Sequence, residues 1–504
     1  MSNSWSHGYY ADEGYEYGYH TETSPSYLQW MCTLQGIDAP KDNFTYLDLG
    51  CGQGLSLIFH AALHPDSQFI GVDFMPRHIA HARSLAKRLA LRNITFIEAD
   101  FLDLAKWPDK IGEVDYAVAH GISTWVSKEV RKGMWSLVSK VLKPGGIVYN
   151  SYNTYPGWHS ASPFQHLVIQ LNNHMRGKAA IDLAIKKMSA LKDANAVLFE
   201  MLPSLDMRID GMSRSDPAYL VQEYNNTAWQ PLYVAEILQE ISEYKLDYFG
   251  TANVVQLFDA SYPPSLLEVI NQESSLHMRE TIRDFAIGQS FRRDLYAKGS
   301  LALGKALQIN RLGEQALIST QTELIDNENA VEMVYENLTV TFDKATLQGV
   351  IDAFGEKGAT VNDVQKVLPQ FSVQEVAEIA TYLIHDGKLG IKTGHCVDKL
   401  KKINHELAHA HLDGGPYNYL AFARTNRVIR LRNADMMLLS HHLQGVQNQD
   451  LDKKLQETMT ILNKRFCIEG REITNPQESL EQAKLHANHF LDVVLPALVS
   501  QEVI

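Results

Sequence analysis

The pattern of apolar and polar positions between residues 41 and 160 alternates short apolar runs with stretches of helical periodicity. This alternation is typical of a parallel β-sheet covered by helices. The predicted strands are Tyr46–Leu49, Gln68–Asp73, Ile94–Glu98, Asp115–His120 and Ile147–Tyr152. The predicted helices are Gly54–Leu63, Pro76–Leu91 and Lys128–Val141. A turn at Lys143–Gly146 is expected to end the third helix and to start the fifth strand.

The chain then continues with a mostly helical pattern. A helical insertion over about 160–230 precedes a predicted helix, Leu232–Tyr244, and a strand-like stretch, Leu246–Leu257. A helix followed by a late strand would complete the sheet, so we expect one α/β domain over residues 41–260. Residues 261–330 are predicted to form a helical middle region.

The two ends of the chain predict smaller units. The helices Asp343–Glu356 and Ser372–Asp386, followed by the stretch Gly387–Ile391, indicate a winged-helix-like module over 331–395. Residues 396–504 are predicted to be helical. Residues 1–40 form an arm rich in aromatic side chains, which we expect to pack on the α/β domain as a lid because large aromatic rings favour burial. Its aromatic residues are Trp5, Tyr9, Tyr10, Tyr15, Tyr17, Tyr19 and Tyr27.

A glycine-rich turn follows the first predicted strand and opens a helix. Glycines at such a place let the backbone turn sharply and approach a ligand closely. The second predicted strand ends in Asp73, whose carboxylate can accept hydrogen bonds from both hydroxyls of a ribose. Asp100 follows the third strand, where its carboxylate can accept from an adenine amino group while Phe101 packs on the ring. The residues expected to bind the cofactor are Tyr19, Asp48, Gly50, Gly52, Gln53, Gly54, Asp73, Phe74, Asp100, Phe101, His120 and Gly121.

These strand ends together predict S-adenosyl-L-methionine as the cofactor. An NAD-type Rossmann domain normally carries GxGxxG after its first strand, whereas this chain has GxGxG at Gly50–Gly54. The dinucleotide hypothesis also leaves the acid after the third strand unexplained. A dinucleotide domain and an α/β domain that binds nothing are the two alternatives.

The same segments, with two more, resemble a known family. The chain is similar to bacterial class I S-adenosylmethionine-dependent methyltransferases that carry a methyltransferase regulatory domain. The resemblance rests on Tyr46–Gly54, Gly71–Phe74, His120–Val126 and Ser151–Trp158, with Tyr219–Gly250 and Phe285–Leu295 similar to the regulatory region. It implies a Rossmann-like class I methyltransferase sheet, with a helical insertion and middle region and a smaller C-terminal module. Some relatives are protein lysine methyltransferases that act on outer-membrane proteins, and in them the arm folds over the cofactor.

The acceptor side of the cleft is expected at the ends of the fourth and fifth strands. A lysine amine must be neutral to attack a methyl group, and burial among aromatic and neutral polar groups favours the neutral form. The candidate catalytic residues are His120, Trp125, Tyr152, Asn153 and Trp158. Each has a structural alternative: His120 can make a structural hydrogen bond, and the tryptophans can pack in the core or the lid.

The leading hypothesis is therefore an enzyme that methylates a protein side chain, a lysine amine, by direct in-line transfer and releases S-adenosyl-L-homocysteine. A methyltransferase of a glycan or a small metabolite is the first alternative. A catalytically silent S-adenosylmethionine-binding module is the second, and the intact glycine turn with Asp73 and Asp100 argues against it.

Composition narrows the partners. The formal net charge of −13 over 504 residues opposes binding to phosphate backbones, so no nucleic-acid partner is expected. The sequence has no run of about 18 apolar residues, so no membrane span is expected. The polar, tyrosine-rich start lacks the features of a signal peptide. We therefore expect a cytoplasmic protein. The four cysteines lack CxxC spacing, which disfavours a disulfide framework or a thiolate zinc site.

Two local patterns suggest other functions. His405–His409 matches HExxH, which can place two zinc ligands on one helix face, and His411 lies nearby. Glycines follow almost immediately and the chain has 20 histidines, so a solvated helix face is favoured and no metal is expected. A basic run near the C-terminal module would suit DNA, but protein docking is favoured because the whole chain is acidic. The run consists of Arg424, Arg427, Arg430 and Arg432.

Overall fold

The computed structural model describes most of the chain. The described residues are 15, 17–175, 177–212, 217–299, 302–320, 330–335, 337–393, 397–468 and 471–504. Of the predicted arm, Trp5, Tyr9 and Tyr10 lie outside the described residues. None of the helices among the described residues is both long and apolar enough to cross a membrane.

A seven-stranded sheet forms the centre of the N-terminal half. Its strands are β1 (Thr45–Leu49), β2 (Gln68–Asp73), β3 (Ile94–Glu98), β4 (Val114–His120), β5 (Leu142–Asn153), β6 (Asp247–Thr251) and β7 (Phe291–Ala297). They lie in the order β3-β2-β1-β4-β5-β7-β6, in which β1 to β5 run parallel and β7 is antiparallel to both neighbours. The switch point beside β1 therefore places the carboxyl ends of β1, β2 and β4 at one edge, where ligands bind in α/β sheets.

The predicted α/β pattern is confirmed, with small shifts at the ends. The helices between the strands are α2 (Leu55–Leu63), α3 (Pro76–Arg88), α4 (Phe101–Leu104) and α5 (Lys128–Val141), and α1 (Pro25–Leu34) precedes β1. The predicted apolar face of α3 is buried at Ile79, Ala82, Leu85 and Ala86. The turn predicted at Lys143–Gly146 is wrong as a separate element, because β5 already begins at Leu142 and its register against β4 shifts between Val114 and Tyr116.

Alternate side chains of the strands enter two different cores. Tyr46, Tyr116 and Tyr149 pack on one face of the sheet with α1 and α2. Leu47, Ala117 and the strand residue Tyr152 pack on the other face with α5 and the helix Val234–Ser242. This period of two decides which strand-end side chains can reach a ligand at the sheet edge.

The segment between β5 and β6 is helical, as expected, and has its own core. Its helices are α6 (Ser162–Leu171), α7 (Lys178–Asp193), α8 (Val197–Met201), α9 (Pro203–Met212) and α10 (Pro217–Tyr224). Trp158, Phe164, Ile181 and Leu205 are buried together there. The predicted helix Leu232–Tyr244 is α11 (Val234–Ser242), but only the first part of Leu246–Leu257 is a strand, since Val254–Leu257 forms the short helix α12.

The prediction of a helical region over 261–330 is wrong at two places. Helices α13 (Pro264–Asn271), α14 (Leu276–Ile287) and α15 (Lys305–Gly313) are present, but β7 and β8 (Ala316–Ser319) are strands. The sheet thus extends beyond residue 260. Strand β7 escaped prediction because Arg292 and Asp294, which look like surface residues in the sequence, are buried in it.

The winged-helix-like pattern is confirmed in its helices and altered in its sheet. Helix α16 (Lys344–Phe354) begins after the cap Asp343, and α18 (Val373–His385) begins after the capping box of Ser372. The other elements are the hairpin β9 (Ala330–Tyr335) and β10 (Leu338–Asp343), then β11 (Ala359–Thr360), α17 (Val361–Val367) and β12 (Leu389–Ile391). The middle strand of its small sheet is β8, which lies before residue 331 in the chain.

Helix α18, which a DNA-binding winged helix would expose, is buried against the N-terminal half. Trp30 of α1 donates its indole N–H to Thr381 Oγ1 at 3.0 Å. Ser261 and Tyr382 are hydrogen-bonded at 2.9 Å. The burial of α18 favours an internal docking role for this module.

The C-terminal region is helical except for two hairpins that its sequence did not predict. Its elements are α19 (Val397–Leu412), β13 (Tyr419–Phe422), β14 (Arg427–Arg430), α20 (Asn433–Leu443), α21 (Leu451–Ile461), β15 (Cys467–Ile468), β16 (Arg471–Glu472), α22 (Pro476–His489) and α23 (Leu495–Ser500). The HExxH pattern lies on α19, where Glu406 pairs with Arg88 of α3 at 3.2 Å. His409 contacts Gln444, and among the described residues no group of three His, Cys, Asp or Glu side chains is placed to hold a metal.

The arginines of the basic run have intramolecular partners. Arg427 donates to the Gly387 carbonyl, and Arg424 donates to the carbonyls of Glu356 and Ser500. Arg432 pairs with Asp435. Arg430 lies over the ring of Tyr419. These side chains hold the C-terminal region in place.

Candidate functional site

A cavity of about 290 Å³ lies at the carboxyl edge of the sheet. The glycine turn, the ends of β2, β3 and β4, the arm and the helix α10 all contribute to its wall. Its lining includes Tyr15, Gly18, His20, Thr23, Asp48, Gly50, Gly52, Gln53, Gly54, Asp73, Phe74, His78, Asp100, Phe101, His120, Gly121, Ile122, Trp125, Val126, Val130, Gln222 and Glu223. All the predicted cofactor residues except Tyr19 are therefore brought together.

The glycine turn is built on left-handed backbone that glycine tolerates. Gly50, Gly52 and Gly54 have φ of +77°, +52° and +78°. A Cβ on Gly54 would lie 2.7 Å from Cβ of Ala82 and 2.8 Å from the Phe96 ring. Gly54 is thus required for the close packing of α2 and α3 on the sheet beside the cavity.

Asp73 organises the turn from the end of β2. Its carboxylate accepts from Gly52 N at 2.9 Å and from Met75 N at 2.8 Å, and it contacts His78 Nδ1 at 3.2 Å. The side chain is almost fully buried in the cavity wall. His78 was not predicted, although its place in the first turns of α3 faces the end of β2.

The remaining acids of the cavity lie at neighbouring strand ends. Asp48 lies beside Asp73, and burial together with that neighbouring charge raises its pKa to about 7. Asp100 caps α4 by accepting from Leu102 N at 2.6 Å. Phe101 is buried beside it. Gln53 has a buried carbonyl oxygen, Oε1, without a hydrogen-bond partner.

The polar and aromatic side chains of this cavity fit S-adenosylmethionine. The orphaned Gln53 oxygen and the carboxylates of Asp48, Asp73 and Asp100 supply acceptors for an ammonium, a ribose and an adenine amino group. Phe74 and Phe101 supply flat apolar surfaces for the base. The glycine turn supplies the close backbone approach.

His120 lies at the end of β4 and lines the same cavity as the predicted cofactor residues. Its Nδ1 is 3.1 Å from both the Tyr149 hydroxyl and Ser151 Oγ. The ring stacks on His20 of the arm with centroids 4.0 Å apart. Burial lowers its pKa well below the usual range, with smaller contributions from His20 and Arg293. The imidazole is therefore neutral at pH 7.

The other catalytic candidates separate into two groups. Trp125 lines the cavity, and Asn153 donates from Nδ2 to the lining residue Glu223 at 3.3 Å. Tyr152 is fully buried on the opposite face of the sheet, where its hydroxyl donates to Asp294 at 2.7 Å. Trp158 is packed in the core of the insertion under Arg208. The structure thus corrects the placement of Tyr152 and Trp158, whose side chains lie away from the cavity.

The arm covers the cavity, but by other residues than expected. Tyr15, Gly18, His20 and Thr23 line it. Tyr19 instead packs on Phe59 and His60, and burial raises its pKa above the usual range. The arm thus lies over the cavity through Tyr15, Gly18, His20 and Thr23, whereas Tyr19 is not among the lining residues.

Removing residues 1–18 is expected to weaken the binding of S-adenosylmethionine about tenfold and to speed its dissociation. The deletion removes Tyr15 and Gly18 from the wall, together with the contacts of their carbonyl oxygens with Gln53 and Ser56. It leaves His20 and the buried Thr23 in place. Calorimetry and stopped-flow displacement measure the effect, and an affinity equal to that of the full chain would contradict the lid role.

Two sequence profiles match the chain. Residues 40–197 match a methyltransferase domain, and residues 216–298 match a predicted methyltransferase regulatory domain. The second match includes all of α10 and ends just after β7. The regulatory region therefore contributes both the last strands of the sheet and the Glu223 side of the cavity.

The relatives in sequence are similar over part of their length. An uncharacterized protein of Synechocystis sp. is 32% identical over 62% of this chain and 62% of its own. An uncharacterized protein of Rickettsia prowazekii is 27% identical over 59% of this chain and 54% of its own. The alignments thus span about half to three fifths of the curated relatives.

A solved structure extends the likeness in fold to the whole chain. The structure of PKMT2 from Rickettsia typhi in complex with AdoHcy has a TM-score of 0.68 at 20% identity, and it covers 97% of this chain and 99% of that one. The sheet order found here also agrees with a methyltransferase domain, whose cofactor is S-adenosylmethionine. The chain therefore carries a methyltransferase domain joined to a predicted methyltransferase regulatory domain.

Proposed function

We propose that the protein is an S-adenosylmethionine-dependent methyltransferase that acts on a protein side chain, namely a lysine amine. The observation that carries this proposal is a cavity whose lining joins the glycine turn, Asp73 and Asp100 to Trp125 and Glu223. The first group suits the cofactor, and the second suits an acceptor group that must be buried.

The cofactor supplies a methyl group on a positively charged sulfur, so the chain has to position the acceptor and exclude water. The arm excludes water by covering the cavity. His120 offers a neutral ring held by Tyr149 and Ser151. Trp125, Val126 and Val130 add apolar surface to the cavity, which favours a neutral amine over an ammonium.

A protein acceptor is supported by two further observations. The segments His120–Val126 and Ser151–Trp158 resemble those of bacterial class I methyltransferases with a regulatory domain, some of which methylate protein lysines, and the fold matches PKMT2 over nearly the whole of both chains. The chain also continues for about half its length beyond the cavity residues, and such additional surface suits a macromolecular acceptor. A glycan or small metabolite is the competing acceptor.

Incubation with S-adenosylmethionine labelled in its methyl group and with fractions of cell protein, glycan and small molecules tests the proposal. We expect label in protein, released as methylated lysine after acid hydrolysis. An Asp66→Ala variant, changed at an exposed position, should label as the wild type does. Label found only in glycan or small molecules would replace the lysine assignment, and binding of the cofactor with no transfer to any fraction would contradict the proposed activity.

A further inference from the structure

Glu223 is an acidic side chain that the cofactor site leaves unexplained. It lies on α10, in the regulatory region, and lines the cavity together with Trp125 and Val126. Only 9% of it is exposed. A buried carboxylate costs free energy unless charges or hydrogen bonds compensate it, so its retention in a cavity points to a ligand.

The contacts of Glu223 compensate its charge poorly. Oε1 accepts one long hydrogen bond, 3.3 Å, from Asn153 Nδ2. Among the ion pairs of the described residues none includes Glu223. Arg208 lies over the Trp158 ring and donates to the Gly157 carbonyl. Burial raises the pKa of Glu223 to about 7, against smaller opposing effects of Asn153 and Arg208.

The surroundings select the chemistry of the missing partner. Trp125, Val126 and Val130 can enclose an alkyl chain, whereas the carboxylate can pair only with a hydrogen-bond donor or a cation. A primary amine on an aliphatic stem meets both requirements, and it reaches the enzyme as an ammonium because its ordinary pKa is about 10.4. A carboxylate acceptor would be repelled by Glu223, and an alcohol could donate a hydrogen bond to it but would leave its charge without a cation.

We propose that Glu223 is the catalytic residue that binds the acceptor ammonium and takes its proton. This inference rests on the proposed function and names the acceptor as a primary amine. The carboxylate removes one proton from R–NH₃⁺, which gives R–NH₂ and a neutral Glu223. The nitrogen lone pair then forms the N–C bond as the C–S bond breaks and its electrons return to sulfur. The product is R–NH₂⁺–CH₃, and Glu223 later loses its proton to water.

Glu223→Gln keeps the size of the side chain and the bond from Asn153 but cannot take a proton. We expect kcat/KM for a lysine-containing protein acceptor to fall about 100-fold or more at pH 7, the scale of general acid–base catalysis, while the affinity for S-adenosylmethionine stays within about twofold. The wild-type rate should rise with pH through about 7 as Glu223 ionises. The variant should lack that step and regain rate toward pH 10, where the free amine is neutral without help.

Glu268→Gln is the matched control, since Glu268 is exposed on α13 in the same regulatory region, and its rates should equal those of the wild type. A variant that keeps the wild-type rate and pH profile would overturn the role of Glu223. So would an equal loss at every pH, because a merely structural residue has no ionisation step.

A binding measurement separates this inference from the proposed function. The protein saturated with S-adenosylhomocysteine is titrated with N-acetyl-lysine methylamide and with the norleucine analogue, which lacks the amine, and binding is followed by NMR. We expect the lysine compound to bind to the wild type and to lose at least about tenfold in affinity with Glu223→Gln. Equal binding of the two compounds, or no binding of either, would overturn the inference. Amine binding without methyl transfer would instead contradict the proposed activity.

Discussion

Asp73→Ala is expected to raise the dissociation constant for S-adenosylmethionine by at least about 100-fold. Hydrogen bonds to a charged group contribute about 1.5–3 kcal/mol each, and losing two from a ribose corresponds to a factor of 100 or more. The same carboxylate holds Gly52 N at 2.9 Å, so its loss also loosens the glycine turn. Isothermal titration calorimetry on the variant measures the effect.

Two companion variants sharpen the result. Asp73→Asn keeps one acceptor oxygen and should fall between the wild type and Asp73→Ala. Asp66→Ala removes an exposed aspartate just before β2 and should bind as the wild type does. Micromolar binding by a folded Asp73→Ala protein would sink the assignment of this residue to the cofactor site.

Arg292→Met is expected to lower the free energy of unfolding by about 3–5 kcal/mol, the cost of breaking a buried ion pair. Arg292 on β7 is 4% exposed and contacts Glu280, Asp284 and Asp294. Its removal leaves Asp284 and Asp294 without a paired cation among the described residues and leaves Glu280 with Arg283 alone. Tyr152 and Tyr248 also point into this cluster. Thermal melting followed by circular dichroism checks the loss.

The pH dependence of this loss has a defined sign. Burial and the nearby Asp294 and Glu280 raise the pKa of Asp284 to about 7 in spite of Arg292. A carboxyl whose folded pKa is raised stabilises the fold below its unfolded pKa, and that contribution is lost as the pH rises through about 7. Because Arg292 lowers the pKa of Asp284, its removal raises that pKa further and makes ionisation of the buried carboxyl more costly. The loss of unfolding free energy in Arg292→Met should therefore be larger at pH 8 than at pH 5.

A surface pair supplies the comparison. Arg471→Ala breaks the exposed pair with Glu478 and should cost less than about 1 kcal/mol at either pH. If Arg292→Met had the same melting temperature as the wild type at pH 8, Arg292 would not be what stabilises the buried carboxylates of this cluster.

The clustering of the predicted cofactor residues could be foreseen from the sequence, because each of them follows a local pattern. A glycine turn and the acids Asp73 and Asp100 each sit at the end of an apolar run, and parallel strands bring such ends together. The face of the sheet on which a strand side chain lies was harder to predict. Tyr152 was assigned to the cleft, but Tyr149 and Ser151 share the face of His120, and a shift of one residue along a strand reverses the side.

The presence of Glu223 in the cavity wall could not be predicted from the local sequence pattern. Glu223 belongs to a helix far along the chain from β4, and nothing in its neighbourhood marks it as buried. Strand β7 was hidden for a related reason: its arginine and aspartate neutralise each other inside the protein, so the segment lacks the apolar pattern of a buried strand. The burial of Glu223 and of strand β7 can be recognised only when distant segments of the chain are packed together.

The arm is held from both sides. Tyr17 contacts His81 of the methyltransferase domain and Tyr417 of the C-terminal region, and Asn426 donates to Ser26. A ligand that closes the arm and a region that clamps it are thermodynamically linked. Whatever factor the clamp adds to the affinity for the cofactor, the cofactor adds to the clamp. A ligand that holds the arm over the cavity would therefore also strengthen the contacts of the arm with the C-terminal region.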